Sequence, residues 1–449
     1  MENNAGLLER IFHLKDSGTT AKTEIMAGIT TFMTMAYILA VNPSIMSTTG
    51  MDKAAVLTAT AIAGFMGTML MAVFANYPFA LAPGMGLNAF FAYTVIGQMG
   101  YSWQMALAAV FVEGIIFIVL SLTNVREAIF DAIPLNLKKG VSVGIGIFIA
   151  FIGLQNAKLV IGNKSTLVSI TNFTKDFHTA GICSLLAVIG LLITVILYIK
   201  KVPGSILIGI LATWVIGMLC QITGIYVPDF KTGYYSLFPT FAMTDFSKLG
   251  ETFGKCFQYD LGKVGIFVDL FDTLGTLVGV STKAGMLNEE GKLPGIKPAL
   301  MADAVATTAG AVLGTSTVTT FVESSSGVAA GGRTGLTAVV SGFLFLISTL
   351  FAPLFTAIPS FATAPALIMV GFLMFGAISD IKFTDDNMTE AVPAYLCIIA
   401  MPLFYSISEG ISIGIISYVI LNVVCGKAKK ITPLMYVLAV LFILKYAVL

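Results

Sequence analysis

The sequence predicts an all-α membrane protein that crosses the bilayer many times, and two observations carry this prediction. Of the 449 residues, 57% are hydrophobic and 11% are charged, whereas an ordinary soluble domain has roughly 25% charged residues. Apolar stretches of about 17 to 25 residues, long enough to cross the hydrocarbon core of a bilayer, recur from position 25 to the end of the sequence. A soluble globular enzyme is therefore excluded.

The apolar stretches predict about 14 transmembrane segments in two sets of seven. A polar stretch at 224–260 separates the sets as an extracytoplasmic loop, so residues 1–223 form a first repeat and residues 261–449 a second one. A last apolar segment, 434–449, fits either a further span or a helix in the membrane interface. The predicted spans are 25–41, 54–75, 85–96, 103–122, 141–156, 182–199 and 202–222, then 264–280, 298–313, 319–330, 335–354, 364–378, 388–405 and 407–424.

The placement of lysine and arginine gives the orientation. With a cytoplasmic N-terminus, 16 of the 25 basic residues fall on the cytoplasmic side and eight on the other, and Lys445 stays unassigned. Short cytoplasmic loops show this asymmetry, so we expect a multi-pass protein of the cell membrane, surrounded by lipid. A net charge of +1 without a basic cluster excludes nucleic acid as a partner. Two histidines, and five cysteines without C-x-x-C spacing, indicate no metal site.

The two halves have matching interruptions. Halves with an odd number of spans enter the membrane in opposite directions, as inverted repeats of secondary transporters do. The third span of each half is short and is broken at its start, by a Gly- and Pro-containing run at 81–88 and by a Thr-rich run at 314–320. Non-helical backbone at this depth lines a cavity or lies inside protein, so the pair predicts a binding site at the midplane. The alternative is that the glycines only permit close helix packing.

Each interruption predicts extended backbone followed by a short helix. The run at 81–88 predicts a helix whose first turn holds Asn88. In the second half, β-branched residues favour extended backbone, and a half-helix is predicted to start near Thr319 with Glu323 in its opening turn. Both helix N-termini would then present free N–H groups and a positive dipole end to a bound molecule.

Two acids lie in the predicted eighth span. Asp269 and Asp272 are three residues apart, which places them on one helix face, and no basic residue lies in the same span. An ionised carboxylate at the bilayer centre costs at least about 2.5 kcal/mol, so an unpaired one should be readily protonated, as proton coupling requires. The alternative is that one of these acids caps a broken helix through backbone N–H groups.

Glu323 and Asn88 predict the kind of molecule that binds. A carboxylate accepts two parallel N–H bonds, and an amide both donates and accepts, which suits a flat, neutral, hydrogen-bonding heterocycle better than an inorganic anion that acids would repel. Aromatic side chains nearby can stack on such a ring, although any one of them also fits a place in the core or against lipid. They are Phe32, Tyr37, Phe90, Phe91, Tyr93, Phe271 and Phe321.

Two further features point elsewhere. The run at 327–334 nearly spells a phosphate-binding loop, but it follows no predicted strand and has Arg333 where the lysine belongs, so it does not predict nucleotide hydrolysis. Four other acids in or near apolar segments predict interhelical hydrogen bonds or positions near the membrane boundary. They are Glu113, Asp303, Glu390 and Glu409.

Four long motifs resemble the azaguanine-type (AzgA-like) branch of the nucleobase:cation symporter-2, or nucleobase–ascorbate transporter, superfamily. They are 28–43, Ala82-Pro-Gly-Met-Gly-Leu-Asn-Ala-Phe-Phe-Ala-Tyr93, Val268-Asp-Leu-Phe-Asp-Thr-Leu-Gly-Thr276 and 314–324. The resemblance covers nearly the whole chain. It implies fourteen segments in two inverted sevens, with a core domain of spans 1–4 and 8–11, a gate domain of spans 5–7 and 12–14, and often a homodimer through the gate. It also implies proton-coupled uptake of a purine base such as adenine, guanine or hypoxanthine.

The resemblance further assigns roles to residues of these motifs. The proton is the coupling ion, and no other cofactor is implied. The tenth-span motif departs from the usual Thr-Ser-Pro-Val-Thr, since Thr317 stands in place of the proline. Substrate binding falls to Asn88, Asp269 and Glu323, and we expect Gly86, Phe91 and Thr320 to take part in it as well. Proton coupling falls to Asp272, Asp269 and Glu323.

We therefore expect a secondary active transporter, not an enzyme, that imports a purine nucleobase by proton symport. Two alternatives stay open at this point. An inorganic anion transporter of the same architecture would place a cation near the site, and the acids argue against it. A membrane-embedded hydrolase would use the acid pair, but a spacing of three residues on one helix is the wrong geometry for a dyad that shares one water.

Overall fold

The computed structural model describes residues 7–123, 132–174, 177–225, 227, 293 and 296–448. The predicted eighth span, with Asp269 and Asp272, lies outside these residues. The helices are α1 (Leu7–Phe12), α2 (Ala21–Met35), α3 (Ile38–Met46), α4 (Lys53–Ala75), α5 (Met85–Ala89), α6 (Trp103–Leu122), α7 (Leu135–Asn156), α8 (Ile182–Ile199), α9 (Ser205–Ile222), α10 (Ile296–Leu313), α11 (Ser324–Ala329), α12 (Gly335–Ile347), α13 (Ala352–Thr356), α14 (Ser360–Phe375), α15 (Met388–Leu403), α16 (Ile407–Val424) and α17 (Pro433–Val448). The strands are β1 (Leu81–Pro83), β2 (Val160–Asn163), β3 (Leu167–Ile170) and β4 (Val318–Thr320).

The fold is that of an all-α polytopic membrane protein, as the composition predicts. Within the described ranges, ten stretches are helical, long and apolar enough to cross a membrane. The third predicted span consists of α5 and a π-helical continuation, Phe90–Gln98. The last apolar segment forms α17, which packs on α16 through one face that includes Met435 and Phe442.

Several helices begin at a residue whose side chain accepts a hydrogen bond from a backbone N–H of the first turn. Such a cap satisfies one of the donors that an α-helix leaves without a partner at its start, so the local sequence fixes where these spans begin. The capping residues of α2, α4, α6 and α16 are Thr20, Asp52, Ser102 and Ser406.

The described spans pack in two groups of helices. In the first group, α10 packs against α4 and α6, α12 against α2 and α4, and α11 against α2. In the second group, α7 packs against α14 and α15, α9 against α8 and α14, and α16 against α15. The groups touch where α5 meets α7, where α3 meets α14 and where α2 meets α9.

Two intramembrane acids, Glu390 and Glu409, form hydrogen bonds between neighbouring helices, as their positions in the sequence predict. Asn136 donates from Nδ2 to Glu390 Oε2 at 3.1 Å, which joins α7 to α15. Tyr446 in α17 donates its hydroxyl to Glu409 in α16. A polar side chain in a membrane interior needs such a partner, because lipid offers none.

The sequence prediction was wrong about where the second short helix begins. A half-helix was expected to start near Thr319, but residues 318–320 are strand β4 and α11 begins at Ser324. The strand pairs with β1, so these residues gain hydrogen-bond partners in an extended conformation. β-Branched side chains also fit extended backbone better than a helix.

Close backbone contact holds α7 and α14 together. A Cβ added to Gly371 would lie against the backbone oxygen of Gly146 and 2.6 Å from Ala150 Cβ, so the backbones would have to separate. Small residues at such positions allow the helices of a membrane protein to approach closely. The Gly146–Gly371 contact therefore stabilises the second group of helices.

We expect Gly371→Ala to destabilise the folded protein by about 1–3 kcal/mol, the usual cost of forcing an extra methyl group into a packed contact. The measurement is thermal unfolding in detergent. Gly376→Ala is the matched control, because a Cβ added at Gly376 meets no heavy atom within 4 Å and the residue is likewise helical. Equal stability of the two variants would contradict the close contact.

Candidate functional site

The two interrupted spans cross each other as a buried antiparallel pair. In the pairing of β1 with β4, Leu81 lies opposite Thr320 and Pro83 opposite Val318. The backbone N–H of Gly84 donates to Thr317 O at 2.9 Å and extends the pairing. Non-helical backbone in a membrane interior must find its hydrogen-bond partners within the protein. Each interruption supplies them to the other, which explains why the two runs occur together.

Each strand leads directly into a short helix. Gly84 stands at the N-cap position of α5, and Glu323 stands at the N-cap position of α11. The Glu323 side chain makes no capping hydrogen bond to its own helix. Its carboxylate is therefore available to neighbouring elements.

A cavity of about 620 Å³ opens beside the crossing, between the two groups of helices. This volume lies in the range of small-molecule sites, about 300–1,000 Å³. One wall is the α2 end of the first span, and a second is made by the crossing segments. The opposite wall is apolar and comes from α7 and α14. Residues around the turn from α8 to α9, including Lys201 and Ser205, form a further side. The residues that line these walls include Thr30, Thr34, Tyr37, Gly86, Ile145, Ile149, Thr319, Thr320, Phe321, Glu323, Val370, Leu373 and Met374.

Three of the predicted site residues lie together on this cavity: Gly86, Thr320 and Glu323. The hydroxyl oxygen of Thr320 is buried and has no hydrogen-bond partner within the part of the chain that the structure describes. A buried hydroxyl without a partner costs free energy, so a ligand that hydrogen-bonds to it would remove that cost.

Glu323 is held by the first span. Tyr37, which is fully buried, donates its hydroxyl to Glu323 Oε1 at 2.6 Å. One turn earlier, Thr34 Oγ1 lies 3.5 Å from the backbone oxygen of Glu323 and 2.9 Å from Thr31 O, which is the closer acceptor. The sequence prediction named Tyr37 only as an aromatic side chain that could stack on a ring. Its hydrogen bond joins residues 286 positions apart, and no local pattern indicates such a pair.

Asn88 lies behind the cavity and connects the two broken segments. It is fully buried, it accepts a hydrogen bond from the Ser316 hydroxyl, and its Nδ2 donates to Pro83 O at 3.5 Å. Asn88 is not among the residues that line the large cavity. In this structure its amide therefore fixes the crossing on which the cavity wall depends.

Phe91 lies on a second, much smaller cavity of about 30 Å³, together with Phe90, Glu113 and Ser316. Of the other aromatic candidates, Tyr37 and Phe321 line the large cavity. Phe32 packs edge-on against Phe345, with ring centroids 5.3 Å apart. Phe271 lies outside the described residues.

An aromatic cluster joins the third span to the second group of helices. Tyr405 packs edge-on against Tyr93 and Phe148, with ring centroids 6.0 and 5.2 Å away. Its hydroxyl donates to Gln155 Oε1 at 3.0 Å. Tyr405 has a φ of 54°, an uncommon conformation for a residue with a side chain, so the surrounding contacts hold it in place. Sequence reasoning did not identify this cluster.

No metal centre accompanies the site in the described ranges, where no group of three or more His, Cys, Asp or Glu side chains is arranged to hold an ion. The polar groups that line the large cavity are the Glu323 carboxylate, the Lys201 ammonium, hydroxyls and backbone amides. Such a set binds a hydrogen-bonding molecule and can exchange a proton.

Comparison with known proteins gives the family and the fold. A model described as "Permease family" matches residues 22–444. The chain is 46% identical over 448 residues to the guanine/hypoxanthine permease PbuO of Bacillus subtilis, covering 98% of this chain and 100% of PbuO. It is 40% identical over 445 residues to the adenine permease AdeP of Escherichia coli, covering 98% of this chain and 96% of AdeP.

Solved structures confirm the fold at low sequence identity. The transmembrane domain of the cyanobacterial bicarbonate transporter BicA matches with a TM-score of 0.63 and 16% identity, over 88% of this chain and 97% of that chain. The murine anion transporter Slc26a9 matches with a TM-score of 0.59 and 11% identity, over 95% and 74% of the two chains. The family match and the relatives at 46% and 40% identity show that the chain belongs to the permease family, within the nucleobase:cation symporter-2 superfamily. It is a multi-pass transporter and not an enzyme.

Proposed function

We propose that this protein is a secondary active transporter that imports a purine nucleobase, namely adenine, guanine or hypoxanthine, by proton symport across the cell membrane. The observation that carries the proposal is the acid on the cavity wall. Glu323 faces a small-molecule-sized cavity between two groups of helices, beside the crossing of two interrupted spans. Relatives that match over nearly their whole length are named adenine and guanine/hypoxanthine permeases, which supports purines as the substrate class.

The site chemistry suits a flat heterocycle with N–H groups. The Glu323 carboxylate would accept a ring N–H, and the Thr320 hydroxyl would supply or accept a second hydrogen bond. Gly86 would contribute its backbone to the cavity wall, where the absence of a side chain lets Ile145 and Ile407 pack closely against it. Asp269 remains part of the proposed site from outside the described residues. Asn88 and Phe91, one layer behind, would shape the site.

Neutralisation of charge would couple the proton to the substrate. An ionised carboxylate resists movement into a low-dielectric environment, and a protonated or ligand-paired carboxylate resists it much less. We propose that Glu323, Asp269 and Asp272 share one proton taken from outside as the purine binds, so that Glu323 can still accept the purine N–H. The first group of helices would then act as a core domain that moves against the second group as a gate domain, with the N-terminus in the cytoplasm.

Uptake of radiolabelled hypoxanthine into proteoliposomes tests the proposal. We expect uptake to be faster with an acidic outside solution than with equal pH on both sides. Excess unlabelled adenine or guanine should inhibit this uptake. Xanthine and uracil, added in the same way, define the range of bases.

Sulfate and bicarbonate distinguish the alternative of an inorganic anion transporter. Either anion should leave purine uptake unchanged, because a carboxylate at the site repels anions. Inhibition by these anions together with no effect of purines would overturn the proposal. Chemical turnover of a purine by the detergent-solubilised protein, where no compartments exist, would instead support a hydrolase.

A further inference from the structure

We propose that Tyr37 is a positioning residue of the purine site, whose hydroxyl holds Glu323 so that the second carboxylate oxygen is presented to the substrate. This inference rests on the proposed function and adds a residue from the first span to it. Tyr37 and Glu323 both line the large cavity, and a hydrogen bond of 2.6 Å joins the Tyr37 hydroxyl to Glu323 Oε1.

The break in the first span fixes the position of Tyr37. Helix α2 ends at Met35 and α3 begins at Ile38, so Tyr37 occupies the junction between them. Its backbone oxygen accepts hydrogen bonds from the N–H groups of Ala40 and Val41, both at 3.0 Å. These bonds hold the tyrosine backbone, and the rigid ring then leaves its hydroxyl little freedom.

One face of the first span is turned toward the cavity. Thr30, Thr34 and Tyr37 follow the spacing of a helix face and all line the cavity. The hydroxyls of Thr30 and Thr34 donate back to the carbonyl oxygens of Met26 and Thr31, both at 2.9 Å. The Tyr37 hydroxyl, in contrast, extends to the carboxylate of another span.

Glu323 benefits from an external partner because its own helix does not orient its side chain. Its backbone oxygen accepts from Ser326 N–H at 2.9 Å, but its side chain forms no cap on α11. A glutamate side chain has several rotatable bonds, and fixing them on binding costs affinity. A hydrogen bond from Tyr37 that exists before the purine arrives reduces this cost.

The chemistry of the pair explains why a phenol suits the task. An ionised carboxylate has about four acceptor sites and no donor, so one phenolic O–H uses a single site and a purine N–H can be accepted at another. The bond is charge-assisted and so about twice as strong as a bond between neutral groups. Phenylalanine would keep the ring and its packing but would remove the donor.

Tyr37→Phe tests the proposal through the kinetics of purine uptake in proteoliposomes. We expect the apparent KM for hypoxanthine to rise about tenfold, as loss of one hydrogen bond to a charged group predicts, while Vmax per reconstituted molecule changes less than about twofold. KM does not depend on the amount of folded protein, so poor expression of the variant would not hide the effect. Tyr418→Phe, which alters a buried tyrosine of α16 away from the cavity, should leave KM unchanged.

A double-variant comparison separates positioning from a general loosening of the fold. If Tyr37 acts through Glu323, Tyr37→Phe should weaken purine binding about tenfold in the wild-type background but less than about twofold in the Glu323→Ala background, which has no acceptor for the Tyr37 hydroxyl, measured by purine-induced thermal stabilisation. An equal loss in both backgrounds would overturn the proposal, as would an unchanged KM in Tyr37→Phe. Absence of purine uptake by the wild-type protein would overturn the proposed function and this inference with it, whereas normal wild-type uptake with an unchanged KM in the variant overturns this inference alone.

Discussion

Glu323→Gln is expected to abolish proton-driven purine uptake. Glutamine has nearly the same shape, and its amide oxygen can still accept the hydrogen bond that Tyr37 donates to Oε1. It can neither take up a proton nor carry a negative charge, so the proposed coupling step loses the acid that lines the cavity. Loss of a charge-assisted hydrogen bond should also weaken purine binding by about 10- to 100-fold. The measurements are initial uptake under an inward proton gradient and purine-induced thermal stabilisation.

Glu409→Gln is the matched control for this experiment. Glu409 is also an intramembrane acid, but it lies in α16, bonds to Tyr446 and does not line the large cavity. The control should transport purine with a nearly unchanged KM. Normal uptake and normal affinity in Glu323→Gln would exclude the role assigned to this carboxylate, and equal losses in both variants would point to a general effect of removing membrane acids.

The membrane-spanning segments could be predicted from the sequence because the bilayer imposes one simple requirement on them. A span must be long, apolar and helical, and composition alone reveals this. The interruptions at 81–88 and 314–320 could also be predicted, because proline, glycine and β-branched residues oppose helix locally. Their extended conformation follows from these residue types.

The partners of these segments could not be predicted in the same way. Leu81 pairs with Thr320, and Asn88 accepts a hydrogen bond from Ser316, across more than half of the chain. A local pattern reports which conformation a residue prefers, but the pairing partner depends on how distant helices pack. The sequence prediction placed the start of α11 too early for the same reason. Pairing with β1 keeps residues 318–320 extended, and no local pattern reports that pairing.

The buried carboxylate of Glu24 shows a second role for an acid in this fold. Glu24 belongs to α2 and is fully buried, and it lies against the start of α12. Its two oxygens accept from the backbone N–H groups of Arg333, Thr334 and Thr337 at 2.8, 3.3 and 3.2 Å, and from the Thr337 hydroxyl at 2.6 Å. The Glu24 carboxylate thus caps a helix from another span.

The same contact explains the run at 327–334 that resembles a phosphate-binding loop. The Arg333 guanidinium donates to the carbonyl oxygens of Val328 and Gly332 at 2.8 and 2.7 Å, near the end of α11. Glu24 accepts from the N–H groups of Arg333 and Thr334 at the end of this run. This loop therefore connects α11, which begins next to Glu323, to the first span.

Glu24→Ala is expected to lower the free energy of unfolding by about 1–3 kcal/mol, because the buried Thr334 N–H loses its acceptor. The partly buried Arg333 N–H also loses the carboxylate, whereas the Thr337 N–H keeps Thr334 O as a partner. Thermal unfolding in detergent measures the effect. The stability of Glu24→Gln should lie between those of the wild-type protein and Glu24→Ala, because the amide oxygen can still accept a hydrogen bond. Glu9→Ala is the control: Glu9 is half-buried, and its side chain accepts a single backbone bond, from Lys15 N at 3.1 Å. Because Glu24 does not line the cavity, the Glu24→Ala protein that remains folded should keep the wild-type KM for purine. A raised KM at unchanged stability would instead place Glu24 in the transport site.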